Sequence, residues 1–214
     1  MHASATTGAV PGGAGIDQIA AVLARYRPTR LTETLPRAAV LLALSEDEPM
    51  NILLTRRAPA MSSHAGQVAL PGGRRDADDH HDEATALREA EEEVGLDPAR
   101  VLTLGRLSEV VSSNGLAVTP VVARIESEPE LRPNPAEIAR IFHVPAATLA
   151  ATRPDHVHAL RRGEVVRYVP AWYWGNELIW GLTSMILVEF FNLAFEWGFD
   201  MKSEPRDIPV RPVP

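Results

Sequence analysis

The chain has 214 residues, 45% of them hydrophobic and 23% charged, which suits a globular domain with a substantial core. Its formal net charge of −7 argues against general affinity for nucleic acid, which needs a basic surface, though not against a nucleotide held through a metal. The lack of cysteine excludes disulfides, zinc–thiolate centres and cysteine nucleophiles, and with no signal-peptide pattern at the N-terminus a cytoplasmic location is the default expectation.

Residues 1–15 are small and Gly-rich and read as a disordered leader. Residues 16–26 carry apolar side chains at 16, 19, 20, 22 and 23, the spacing of a short amphipathic helix that Arg27-Pro28 ends. Residues 37–44, RAAVLLAL, and 51–56, NILLTR, are apolar runs of strand length around a polar turn. Helix competes for the first run, but its shortness and the turn favour strand. Residues 57–66 form a loop, and a short strand at 67–70 feeds Pro71-Gly72-Gly73. An acidic loop over 74–82 leads into a helix over 83–94 that Gly95 stops. A strand over 101–111, a turn at Ser112-Ser113-Asn114-Gly115 and a return strand over 116–125 follow. After a Pro-rich loop the pattern predicts a short helix at 136–142 and a helical turn at 146–151.

Residues 152–163 are polar and basic, 164–174 and 177–180 read as strands, and 181–197 as a helix with a stripe of Leu182, Ile186, Phe190 and Leu193. The apolar stretch 179–199 carries Glu189 and Glu196 and is interrupted by Gly181 and Gly198, so it reads as a buried helix rather than a membrane span. Four prolines in 202–214 predict a tail with no regular element. The order implies one domain over 16–199 and a Pro-rich tail over 200–214. Its fold class is α/β, an α/β/α sandwich with a mixed β-sheet and helices on both faces.

The helix over 83–94 holds the chemistry. Ala84, Leu87, Ala90 and Val94 fall on one side, and Glu89, Glu92 and Glu93 on the other. Like charges three and four apart repel, and Arg88 offsets only part of that. A divalent cation relieves it, and clustered carboxylate oxygens suit hard Mg²⁺ or Mn²⁺. A solvated acidic face is the plain alternative.

Residues 88–96, REAEEEVGL, match the second half of the Nudix box, R-E-U-x-E-E-x-G-U, with Ala90 in the bulky apolar position. The box opens G-x5-E-x7-R. Counted from Gly73 the acid falls on Asp79, and counted back from Arg88 it falls on His80. We read one extra loop residue, with Asp79 in the acidic role.

Upstream, Leu53-Leu54-Thr55-Arg56-Arg57-Ala58, Gly66 and Leu70-Pro71-Gly72-Gly73 resemble the LLTxR(S/A)x3Rx3Gx3FPGG pattern of the coenzyme A pyrophosphatase branch of Nudix hydrolases. Ser62 replaces its second Arg and Leu70 its Phe. Residues 118–122, VTPVV, and 179–183, IWGLT, also resemble that branch, so the likeness runs from about 35 to 198.

The resemblance implies a Mg²⁺- or Mn²⁺-dependent hydrolase that cleaves the pyrophosphate of CoA or acyl-CoA to 4′-phosphopantetheine and 3′,5′-ADP. It implies a small-molecule substrate, no nucleic acid or membrane partner, and a homodimer. Glu89 and Glu93 are the metal ligands, with Glu92 sharing the ion and a Gly72 or Gly73 carbonyl completing the shell. The catalytic set is Glu92, Glu137 and Arg88. The proton acceptor is Glu92 or another box Glu, or else Glu137 from a later loop, whose alternative role is complementing the dipole of a helix first turn. Arg88 pairs with Asp79 or Glu92 and orders the loop. Arg57, Gly66, Gly72 and Gly73 are the substrate-binding positions, with His64 a further candidate.

Asp76 and Asp79 suit loop capping, His80-His81 solvent, and Trp172, Trp174 and Trp180 core or dimer packing. Ser62 keeps open a second substrate, ADP-ribose or another nucleoside diphosphate derivative. A non-catalytic nucleotide-binding regulator is a third reading, disfavoured by the intact Glu89, Glu92 and Glu93.

Overall fold

The computed structural model describes residues 15–59, 64–126 and 130–214. The leader expected at 1–15, Gly15 apart, and Ser62 lie outside the described residues. In chain order the elements are α1 (Ile16–Arg25), β1 (Arg37–Ser45), β2 (Asn51–Arg57), β3 (Val68–Ala69), β4 (Gly72–Arg74), α2 (Asp82–Val94), β5 (Val101–Arg106), β6 (Val110–Val111), β7 (Ala117–Ile125), β8 (Ile138–Pro145), α3 (Ala146–Ala151), β9 (His156–Arg162), β10 (Val165–Trp174), β11 (Glu177–Ile179), α4 (Gly181–Ala194) and β12 (Val210–Arg211).

The central sheet is mixed. Its backbone path is β3-β2-β1-β7-β5, with β4 also on β1, β6 on β7 and β8 on β2. β1 and β7 run parallel from Arg37↔Ala117 to Ser45↔Ile125. β1 is apolar almost throughout because both its faces are covered. Ala39, Leu41 and Ala43 pack with Ala86, Ala90 and Val94 of α2, whereas Leu42 and Leu44 join the core formed with α1 and α4. The result is the α/β/α sandwich, with Trp172, Phe190 and Phe191 fully buried on the α4 side. A second sheet, β11-β10-β9-β12, flanks that side. Among the described residues no helix is long and apolar enough to cross a membrane.

Several local expectations change, and the strand expected over 101–111 divides into β5 and β6. The predicted helix at 136–142 is strand β8, held by seven residue pairs to β2 from Asn51↔Pro145 to Arg57↔Ile138. A full strand partner outweighs the weak helical preference of six or seven residues. The polar segment 152–163 contains strand β9, paired along β10. The Pro-rich tail contributes β12, parallel to β9 at Val210↔Val157 and Arg211↔His158. Pro209 and Pro212 flank this short edge strand without removing its own N–H groups.

Candidate functional site

The acidic face forms where α2 crosses the β4 turn. His81 caps the helix, its Nδ1 accepting from the Ala84 N–H at 3.1 Å, and Gly95 closes it in the left-handed conformation. His81 is exposed but does more than sit in solvent.

Glu93 departs most from the expected pattern. It was placed on the open side with Glu89 and Glu92, yet it is 2% exposed and shares the buried side with Ala86, Ala90 and Val94. The turn below makes room for it. The Gly72 N–H donates to Glu93 Oε2 at 3.0 Å, and Arg57 Nη1 donates to Oε1 at 3.4 Å. Burial pushes its carboxyl up to about 7; the Gly72 and Arg57 contacts oppose the rise, and the charges of Glu89 and Glu137 add to it.

Glu89 lies against Gly73 and is likewise raised by burial, against the pull of Arg88 and with the charges of Glu92 and Glu137 adding to the rise. Glu92 is the exposed member, held by Arg88 Nη1 at 3.0 Å.

Arg88 is the hub of the preceding loop. Nε and Nη2 donate to the two Asp79 oxygens at 3.2 and 3.0 Å, and Nη2 also reaches Glu89 Oε1 and the Arg74 carbonyl, each at 3.0 Å. Of the two positions offered by the motif count, Asp79 meets Arg88, whereas His80 is exposed. The Asp76 N–H caps Asp79 Oδ2 at 2.9 Å, and Arg75 clasps the Asp79 and His80 carbonyls. The Arg88 contact holds the Asp79 carboxyl down at about 2, below its ordinary 3.8.

Stability drawn from Asp79 is therefore full above 3.8 and is lost as pH falls toward 2. We expect Asp79→Asn to cost about 1–2 kcal/mol at pH 7. Urea unfolding of both proteins across pH 7 to 3 should show the gap narrowing below about pH 4. A gap independent of pH would contradict this assignment.

Glu137 arrives through a contact the sequence does not display. The loop before β8 is hydrogen-bonded to the end of α2, Arg132 N–H to the Val94 carbonyl and Asn134 N–H to the Glu93 carbonyl, each at 2.8 Å. Glu137 closes the Asn134 turn at 3.0 Å, and its carbonyl accepts the Ala58 N–H at 2.7 Å. With β8 a strand, Glu137 has no helix dipole to complement. Its charge acts on both Glu89 and Glu93.

The remaining candidates divide. Arg57, Gly72 and Gly73 come together with Glu89 and Glu93. Gly66 donates its N–H to the Arg57 carbonyl at 3.2 Å but lines a separate cavity. His64 is exposed and contacts Gln67 and Asn114. Trp172 is core, and Trp180 borders the cavity with Gly66. A second ionic centre had no sequence signal we used. Buried Asp82, at the start of α2, has Arg30, Arg37, Arg75 and Arg106 within 3.5 to 3.9 Å, and Arg37 also pairs with Glu109. With Glu83, which pairs with Arg106, four guanidinium groups face three carboxylates around the helix start.

The donor set fits a hard divalent cation. Glu89 and Glu93 are desolvated and coupled to Glu137, and the missing Gly73 side chain leaves the Glu89 carboxylate the space it fills. Among the described residues no three acidic or imidazole groups already converge on one point.

The family model described as NUDIX domain matches residues 34–164. The chain is 44% identical over 161 residues to the uncharacterized Nudix hydrolase NudL of Photorhabdus laumondii, covering 75% of this chain and 86% of that protein. It is 41% identical over 152 residues to the protein of the same description from Yersinia pestis, covering 71% and 76%. Among solved structures, the M. smegmatis Nudix hydrolase RenU is 29% identical with a TM-score of 0.45, covering 54% of this chain and 73% of that one.

Proposed function

The chain belongs to the Nudix family and is a Nudix pyrophosphohydrolase, and from that premise we propose that it cleaves the pyrophosphate of coenzyme A or acyl-CoA into 4′-phosphopantetheine and 3′,5′-ADP. One observation supports this substrate most. The first and last blocks of the segment resembling the CoA branch each donate a hydrogen bond, through Arg57 and Gly72, to the same box carboxylate, Glu93. In this reading a substrate-recognition segment is tied to the groups that would hold the reacting diphosphate.

In this reading Glu89 and Glu93 would hold Mg²⁺ or Mn²⁺, with Glu92 and a carbonyl of Gly72 or Gly73 as further donors. Such an ion, when bound, would supply neutralisation of diphosphate charge and a more acidic water. Glu137 takes the proton from the attacking water, a role supported by its electrostatic reach to Glu89 and Glu93. Glu92 is the alternative acceptor, and it is held in an ion pair with Arg88. Arg88 is a positioning residue that fixes the Asp79 loop and orients Glu89 and Glu92. Arg57 sets the orientation of Glu93.

Ser62, standing where the CoA pattern has Arg, favours a second reading in which ADP-ribose or another nucleoside diphosphate derivative is the substrate. The discriminating experiment is a panel of CoA, acyl-CoAs, ADP-ribose, NADH and diadenosine polyphosphates with Mg²⁺ or Mn²⁺, products identified by mass. We expect CoA species to be hydrolysed at least about tenfold more efficiently than the others, a modest specificity of about 1.4 kcal/mol. Turnover of ADP-ribose without turnover of CoA would establish the second reading in its place.

A further inference from the structure

Arg56 and Arg57 are neighbours on β2, at an irregularity in its pairing with β8, and their side chains go to different partners, Glu177 and Glu93. Arg56 borders a cavity of about 380 Å³ between the Gly66–Gln67 bend and the β10–β11 turn. Trp180, Gln67, Asn176 and Glu177 line it with Arg56 and Gly66. Its size falls within the range of small-molecule pockets.

The chemistry of the lining is selective. Glu177 is 4% exposed and receives Arg56 at 3.4 Å and Arg140 at 3.1 Å. Two guanidinium groups on one carboxylate leave a formal +1 among these three side chains, and Pro214 also lines the opening. The Arg56 side chain is 41% exposed and has donors to spare for a phosphate. Trp180 is partly buried and held edge-on against His158, with ring centroids 5.3 Å apart. His158 is itself anchored by its Nδ1 to the Arg211 carbonyl at 3.1 Å. An indole held in place at the cavity wall can stack on a flat ring. Gln67 and Asn176 supply amide donors and acceptors of the kind that read a base edge.

We propose that this cavity binds the phosphorylated purine-nucleoside end of the substrate, with Trp180 against the base and Arg56 on the ribose phosphate. The inference rests on the pyrophosphohydrolase reading with CoA as substrate and names the subsite for the non-reacting end. β2 then serves both ends of one substrate, Arg57 at the acidic face and Arg56 at the nucleoside.

The test uses the full chain in EDTA, so that the acidic face contributes no metal-mediated phosphate binding. Isothermal titration with 3′,5′-ADP, 5′-AMP and 4′-phosphopantetheine should show 3′,5′-ADP binding about tenfold or more tightly than 5′-AMP. 4′-Phosphopantetheine should not compete. Asn176→Ala, a change in an exposed turn, and Arg56→Gln should each weaken 3′,5′-ADP about tenfold. Each should raise KM for CoA about tenfold with kcat kept. Asn176→Ala decides the matter if Arg56→Gln does not fold.

Unchanged 3′,5′-ADP affinity in Asn176→Ala, or competition by 4′-phosphopantetheine, would overturn the subsite. If CoA is still hydrolysed in that case, the subsite alone has failed. If 3′,5′-ADP binds as described while no CoA species is hydrolysed, the subsite stands and the CoA reading has failed.

Discussion

Glu93→Gln is expected to lose at least about a hundredfold in kcat while leaving the protein no less stable, a loss of about 3 kcal/mol in barrier terms. The substitution keeps volume and keeps an oxygen for the Gly72 N–H, which lies 3.0 Å from the carboxylate. What it removes is a charge, and with it an anionic oxygen for the cation and the ionic partner of Arg57. Folding responds differently. The carboxyl is raised to about 7 from its ordinary 4.5, so in the metal-free protein the ionised form opposes folding as pH rises through that window. A neutral amide removes this penalty, and above pH 7 the variant should gain about 1–2 kcal/mol in EDTA. Added Mg²⁺ should stabilise the original protein more than the variant, because only the original offers the full anionic site. Thermal melts with and without Mg²⁺, beside steady-state kinetics, check both halves. Full turnover in Glu93→Gln would remove Glu93 from the metal shell.

Parts of this arrangement are legible from the chain and parts are not, and the division has physical causes. β1 was readable because a strand covered on both faces must be apolar at nearly every position, and RAAVLLAL is. The Arg88 pairings with Asp79 and Glu92 were the two that the Nudix resemblance offered, and the structure holds both. The burial of Glu93 was not legible. Helical periodicity ranks residues by hydropathy, and it places an acid outside unless a partner beneath the helix is known. Here the partners are a backbone N–H and a guanidinium from segments 21 and 36 residues away.

Glu137 was expected at the site through the family resemblance, but the way it reaches α2 was not legible, for a similar reason. Its delivery depends on backbone hydrogen bonds from 132 and 134, and these leave no side-chain pattern. Helix was favoured at 136–142 by local composition, whereas pairing along β2 decided the outcome. The cavity beside Arg56 was also invisible, since its walls come from the bend at 66–67 and the turn at 176–177.

Two adjacent glycines should fail in opposite ways. At Gly72 the backbone sits at φ +153°, and a Cβ would lie 2.4 Å from the Ala39 carbonyl oxygen and 2.5 Å from Val40 Cα. Both are main-chain atoms of β1, to which β4 is paired at Val40↔Gly72, so neither side can give way without breaking the ladder. Gly72→Ala is therefore expected to cost about 3 kcal/mol or more in stability. At Gly73 the obstruction is a different kind of group. A Cβ there would lie 2.4 Å from the Glu89 carboxyl carbon, with the two oxygens at 2.4 and 2.5 Å. The end of a glutamate can swing aside, so Gly73→Ala should stay within about 1 kcal/mol of the parent. The displaced carboxylate is one of the two proposed metal ligands, and a shift of about 1 Å at a reacting centre costs about a hundredfold in rate. Denaturant midpoints and kcat/KM measured on both variants separate the two outcomes: Gly72→Ala loses fold first, and Gly73→Ala loses turnover with its fold intact. A Gly73→Ala protein with parental turnover would show that the Glu89 carboxylate has no fixed place in the reaction.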